Sequence, residues 1–320
     1  MAEPDSTDGG GRGAESPTVR WDPAAPRFGI RTQQTRPYEE LRELWQRYEA
    51  MGFDSLWLGD HLISPTRPGA PYYEAWSLLP ALATCTSTVR LGVMVSCATL
   101  RHPALLARAA ATVDHVSGGR LELGLGAGWY TPEHDAFGIP LATGPEPVEA
   151  FAETVEVCDR LLRGEVVSFA GRHVTLRGAF CAPAPRQRPR PPLTVGAHGP
   201  RMLAVAARFA DVWNSYRLDG PGEVRRRNEM LDEACLAAGR APADVRRSLL
   251  ITVRRPNDDP WASVDAFRDA VGRYGDAGIQ EFVFDMPLEC QYQVLERVAV
   301  EVLPQLRRRS DGVRSAHEAV

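Results

Sequence analysis

From residue 27 onward, short apolar runs alternate with longer amphipathic stretches, the pattern of parallel βα units. Eight runs read as strands: Arg27–Arg31, Asp54–Gly59, Val89–Val95, Arg120–Gly126, Pro192–Gly196, Asp211–Ser215, Arg247–Arg254 and Ile279–Asp285. Between them, apolar residues recur at helical spacing. The first such stretch, from about Pro37 to Met51, carries Leu41, Leu44, Tyr48 and Met51 on one face, with Pro37 in its first turn and Gly52 at its exit. The third opens at Pro103 and closes at Gly118-Gly119, and the last begins near Leu288 and is expected to break at Pro304. Eight βα units suit an open doubly wound sheet or a closed (β/α)8 TIM barrel. The strands read as apolar on both faces, without edge prolines or charges, which favours closure.

Two segments exceed a normal connection and are expected as rim insertions: Gly128–Pro147 after strand four and Val166–Pro191 before strand five. In the second, Val167 and Phe169, then His173 and Thr175, alternate as a small hairpin would. No second domain boundary is visible. The expected organisation is a Gly-, Pro-, Ser- and Asp-rich tail over 1–26, one barrel over 27–307, and a C-terminal tail over 308–320.

Composition narrows the chemistry. A net charge of −4 argues against nucleic-acid or anionic-membrane partners, and no apolar run approaches the roughly 20 residues that span a bilayer. The N-terminal tail lacks a signal-peptide core, and the six cysteines are scattered without a CxxC pair. The expectation is therefore a cytoplasmic protein with reduced thiols and no metal cluster. The chain contains no lysine, which excludes Schiff-base and P-loop lysine chemistry.

The candidate chemistry sits at the C-terminal ends of the expected strands. Gly124-Leu125-Gly126-Ala127-Gly128 resembles a dinucleotide fingerprint, yet Trp129 stands where a third glycine belongs. The alternatives are a plain glycine turn, or a stretch of small residues that lets a flat ligand approach the backbone. His198-Gly199-Pro200-Arg201 opens a helix after strand five: either a phosphate site or a simple helix entry. Asp60-His61 ends strand two, where the histidine can donate a proton, bond a cofactor ring, or pair with Asp60 for structure. His102 reads as a helix cap, His115 as structural, and His134 as a weaker catalytic candidate, while His173 and His317 carry no signal. Cys97 reads as a packing residue rather than a nucleophile.

These motifs, in this order, resemble the luciferase-like flavin and deazaflavin oxidoreductases, specifically the coenzyme F420-dependent subgroup. The carriers are Gly52-Phe53-Asp54-Ser55-Leu56-Trp57 with Asp60-His61, Leu100-Arg101-His102-Pro103, Ser117-Gly118-Gly119-Arg120 through Trp129, Gly199-Pro200-Arg201-Met202-Leu203, and Ala210-Asp211-Val212-Trp213-Asn214. The resemblance covers residues 27 to about 307 and implies an eight-stranded barrel, which closes the open-sheet alternative.

It further implies a cofactor ring in the barrel mouth, supported by a bulge with a non-prolyl cis peptide at Met94–Val95, with Ser96 following. Asp60, His61, Gly126 and Ala127 would border the ring, and His198, Gly199, Pro200 and Arg201 would hold phosphate. The implied reaction is hydride transfer between F420 and a small organic substrate such as a ketone, imine or conjugated alkene, with His61 as proton donor or acceptor and Trp129 as pocket wall. Sugar-phosphate dehydrogenases of the family carry glutamate where this chain has Trp129, which argues against that substrate. The competing expectations are a two-component monooxygenase using reduced FMN, and a non-catalytic flavin-binding protein. Family members are commonly homodimers.

Overall fold

The computed structural model describes residues 25–141, 144, 146–216, 219–252 and 259–308. The expected tails, and His317 with them, lie outside the described residues apart from 25, 26 and 308. In chain order the elements are β1 (Arg27–Arg31), α1 (Tyr38–Ala50), β2 (Ser55–Leu58), α2 (Ala75–Thr84), β3 (Arg90–Cys97), α3 (Pro103–Val116), β4 (Leu121–Gly126), α4 (Thr131–Phe137), α5 (Glu146–Leu162), β5 (Val167–Ala170), β6 (Thr175–Ala179), β7 (Leu193–Gly196), α6 (Pro200–Phe209), β8 (Val212–Tyr216), α7 (Pro221–Ala237), β9 (Arg246–Ile251), α8 (Val264–Gly275), β10 (Glu281–Asp285) and α9 (Tyr292–Arg297). Eight parallel strands close a barrel in the order β1-β10-β9-β8-β7-β4-β3-β2, and β5 pairs with β6 as the expected hairpin. Each barrel strand falls within or beside a run read from the sequence.

Alternation along the strands sorts the side chains. Phe28, Ile30, Leu56, Leu58, Leu91, Val93, Phe282 and Phe284 point outward and join one core with helix residues such as Leu41, Trp45 and Tyr48 of α1. Their neighbours fill the interior, and these are not all apolar, so the expectation of strands apolar on both faces is corrected. The lowest interior layer is ionic: Arg27 Nη1 donates to Glu122 (3.2 Å) and Glu281 (3.1 Å), and Arg90 Nε donates to Glu122 (2.5 Å). Long charged side chains can close the end of a barrel because each finds an opposite charge across it. Above that layer Trp57, Met94, Leu250 and Val283 form an apolar plug. Trp57 fits because its neighbours are small: a Cβ on Gly92 would lie 2.7 Å from its ring.

The second insertion joins α5 to β7, so it starts at the N-terminal end of the barrel. There Asp114 accepts the backbone N–H groups of Arg186 (2.6 Å) and Gln187 (3.0 Å). The hairpin climbs beside α5, held by Glu153, which accepts the N–H groups of Arg172, His173 and Val174. Only its tip reaches toward the rim, where Arg172 meets Glu149 (2.8 Å) in the first turn of α5. The last helix does not break at Pro304. A π-helical stretch over Val298–Val302 precedes the proline, and helix continues to Arg308. Proline lacks the N–H of an i→i−4 ladder and crowds the carbonyl four residues back, and a locally wider turn relieves both.

Candidate active site

The ends of β2, β3, β4 and β7 carry the motifs singled out in the sequence, and these are four consecutive staves of the barrel. The other arc of the mouth comprises β1, β10, β9 and β8.

Asp60 is buried and fully engaged. It accepts the Cys97 N–H (2.7 Å) and two bonds from Arg101 (2.5 and 3.0 Å), so it ties the end of β2 to the end of β3. Arg101 also donates to Glu74 (2.8 Å), which caps α2 by accepting from Trp76 and Ser77. Burial alone would raise the Glu74 carboxyl. The bonds from Ser77 and Trp76 and the Arg101 charge outweigh it, and the group sits below its ordinary range.

His61 does not pair with Asp60. Its Nδ1 lies 3.0 Å from Glu133 Oε1, and the other Glu133 oxygen accepts the Leu62 N–H at 2.8 Å. Glu133 is 1% exposed, whereas the His61 side chain is 17% exposed. With a carboxylate accepting at Nδ1, Nε2 is the nitrogen left for chemistry. Trp129 and Tyr130 stand edge-on to the imidazole, at centroid distances of 6.0 and 5.6 Å. Trp129 is exposed.

The bulge lies between Val93 and Ser96, and the Met94–Val95 peptide is cis. Met94 belongs to the apolar plug, Val95 is half-buried, and Ser96 accepts the Trp76 indole N–H (3.1 Å). Small residues on the neighbouring strands make room for it. A Cβ on Gly126 would lie 2.4 Å from Val95 Cγ2, and one on Gly196 would lie 3.2 Å from the same atom.

A chain of hydrogen bonds then fixes the start of the aromatic wall. His134 Nδ1 donates to the Tyr130 carbonyl (3.0 Å), so its Nε2 accepts from Thr99 (2.6 Å), and Thr99 in turn takes the Cys97 thiol proton (2.9 Å). Burial pushes the Cys97 thiol up despite its bonds with Thr99, which fits packing rather than nucleophilic attack. Gly128, at φ +87°, leaves the space that Cys97 and Thr99 fill.

At β7, His198 is exposed and its carbonyl accepts from Arg227. Gly199 is the N-cap of α6, Pro200 opens the helix, and Arg201 stands 3.5 Å from Glu149. His102 caps α3 by accepting the Ala104 N–H (3.2 Å), and His115 bonds the Ala184 carbonyl (2.8 Å). Ala127 packs half-buried against the core.

Sequence reasoning gave Glu133 and Arg101 no site role and did not join His134 to Thr99. The signal for Glu133 was Thr131-Pro132-Glu133 after β4, a helix start that puts the carboxylate in the first turn beside the mouth.

Among the described residues no helix is long and apolar enough to cross a membrane, and no group of three or more metal-ligating side chains is found. A family model for luciferase-like monooxygenases matches residues 23–309. The chain is 32% identical over 252 residues to a phthiodiolone/phenolphthiodiolone dimycocerosates ketoreductase of Mycobacterium tuberculosis, covering 71% of this chain and 65% of that protein. It is 27% identical over 333 residues to an F420-dependent glucose-6-phosphate dehydrogenase of Microbacterium testaceum, covering 88% and 98%. The fold superposes on the coenzyme F420-dependent tetrahydromethanopterin reductase of Methanopyrus kandleri with a TM-score of 0.75 at 21% identity, covering 88% and 99%. A match over nearly the whole barrel places this chain in the luciferase-like monooxygenase family.

Proposed function

We propose that the protein is an F420-dependent oxidoreductase that exchanges a hydride with a small organic carbonyl, imine or conjugated alkene. The observation that carries the reading is the His61–Glu133 pair set beside the bulge and the aromatic wall. The relatives named above that use F420 support the cofactor class.

The mouth suits a flat ring. The Val95 bulge offers it an apolar face, Gly126 and Ala127 keep the adjoining strand end low, and Trp129 and Tyr130 wall the approach. Asp60, Met94, Val95, Ser96, Gly126 and Ala127 would border the ring, and His198 to Arg201 its phosphate, where helix N–H groups and Arg201 favour an anion. A bound deazaflavin supplies two-electron hydride chemistry.

The rest is the work of the chain. Glu133 orients the His61 ring through Nδ1, so that Nε2 can deliver a proton to the substrate oxygen or nitrogen, or take one in the reverse direction. Trp129 confines the substrate and excludes water. The reading extends to one functional unit over residues 27–307, acting in the cytoplasm as a homodimer. The exposed apolar side chains Leu105 and Phe180 offer a second copy something to cover, and light scattering tests the assembly.

Fluorescence titration with F420 and with FMN tests the cofactor. F420 is expected to bind and FMN to bind at least tenfold more weakly. Tight FMN binding without F420 affinity would replace this reading with the monooxygenase.

A further inference from the structure

The arc of the mouth that the cofactor reading leaves open carries its own polar apparatus. Arg31 ends β1 and Asp285 ends β10, in register with each other, on the interior-facing positions that continue Arg27-Gly29 and Glu281-Val283. Arg31 is also in register with Trp57 of the apolar plug, so the pair stands at the floor of the mouth. Both Arg31 Nε (2.8 Å) and Nη2 (2.7 Å) reach the same oxygen, Oδ1 of Asp285. Among the described residues, Arg31 Nη1 and Asp285 Oδ2 have no partner. The side chains are 18% and 23% exposed, so the pair is only partly covered at the mouth.

A third group joins them from the connection between β2 and α2. Gly59 continues the interior face of β2, and a Cβ there would lie 2.9 Å from the Tyr72 hydroxyl and 3.9 Å from His61 Cδ2. Tyr72 therefore reaches over the end of β2, beside His61. Its proton is committed: the hydroxyl donates to Gln34 Oε1 (3.0 Å), while Gln34 Nε2 is fixed by the carbonyls of Gly59 (2.9 Å) and Tyr73 (3.1 Å). Burial pushes the phenol well above its ordinary value, so it remains neutral. What Tyr72 offers a ligand is a lone pair.

The floor thus presents one free donor group, on Arg31, and two acceptors, Asp285 Oδ2 and Tyr72 Oη, with no net charge. A primary carboxamide is the complement: its carbonyl accepts from Arg31 and its two N–H groups donate to Asp285 and Tyr72. A carboxylate has no donor to give and meets the Asp285 charge, and a hydrocarbon leaves all three groups unpaired. We infer that Arg31, Asp285 and Tyr72 form a substrate anchor that selects compounds carrying a neutral primary carboxamide at the end remote from the reacting carbon. This rests on the oxidoreductase reading for which end reacts, but the binding preference can be measured without turnover.

Three probes of similar shape separate the cases: 4-oxopentanamide, 4-oxopentanoate and 2-hexanone, titrated by NMR against the full chain with and without F420. The amide is expected to bind at least tenfold more tightly than either of the others. Tyr72→Phe is expected to lower that preference several-fold and Arg31→Met to abolish it. Asp285→Asn is expected to narrow the gap between amide and carboxylate. Equal affinities for the three probes, or an amide preference unchanged in Tyr72→Phe, would overturn the anchor. Tyr72→Phe removes one oxygen and keeps the ring, so the test stands even where Arg31→Met fails to fold. An F420 titration on the same samples judges the cofactor independently, so failure of the anchor and failure of the oxidoreductase reading are distinguishable.

Discussion

At the N-terminal end of the barrel, Glu122 and Glu281 are fully buried and meet Arg27 and Arg90 within 3.2 Å. At the C-terminal end, Asp60, Glu74 and Glu133 meet Arg101 and His61 at similar distances, but the side chains range up to 35% exposed. The residue types are nearly the same, and the outcomes differ because of where each network stops. The lower one is shut off from solvent by burial, arginine to glutamate across strands, with Gln187 and Ser248 as further partners. The upper pairs leave capacity unused: among the described residues His61 Nε2 and, on the far arc, Arg31 Nη1 and Asp285 Oδ2 carry no further bond. A closed network holds strands together, and an open one keeps hydrogen-bonding capacity for a ligand.

The largest effect should come from breaking the closed end. Glu122→Ala leaves Arg27 and Arg90 short of a buried counter-charge, and the expected loss is about 3–5 kcal/mol of unfolding free energy in urea titrations. A loss below ~1 kcal/mol would mean that the lower network is not structural. At the open end the pattern should invert. His61→Ala is expected to change stability little while slowing single-turnover hydride transfer about a hundredfold with F420 still bound. An unchanged rate would remove His61 from the proton step.

A smaller effect tests the seat of the bulge. Gly126→Ala drives a methyl group into Val95, and repacking of that kind typically costs ~1–3 kcal/mol. The expected consequence is F420 affinity weakened about tenfold, because on the proposed reading the displaced atoms would line the ring face. An unaltered dissociation constant would place the ring elsewhere.

The sequence made the strands legible because short apolar runs, alternating with amphipathic stretches and bounded by glycine and proline, have few other folds available to them. It also made the β2, β4 and β7 ends legible, since Asp60-His61, Gly126-Ala127 and the His198–Arg201 turn are contiguous motifs, while the bulge of β3 came from the family resemblance. The pairings stayed hidden. His61 lies 72 residues from Glu133, and no local pattern says which carboxylate will close on an imidazole. The interior charges were hidden for a related reason: Arg27 and Glu122 look like solvent residues until closure brings them within 3.2 Å across the barrel. Helix through Pro304 depended on a π-helical turn that periodicity does not foresee.

The smallest effect lies in the acid response of the closed end, and its sign separates the two buried glutamates. Burial would raise Glu122, but the charges of Arg27 and Arg90 outweigh it, so its carboxyl falls below the ordinary value of 4.5. The fold then releases that proton more readily than the unfolded chain. The associated stability is present above about pH 4.5 and lost as pH falls through the folded value. Glu281 is shifted the other way: burial, with the Glu122 charge, raises it against the pull of Arg27 and Arg246. The fold holds this proton more tightly, so its contribution declines as pH climbs above 4.5 toward the raised value. Urea unfolding between pH 3 and pH 7 is therefore expected to show a flattened acid limb in Glu122→Gln, whereas Glu281→Gln keeps that limb and loses the decline above it. Identical profiles for the two variants would show that Glu122 and Glu281 share one charge rather than dividing the roles.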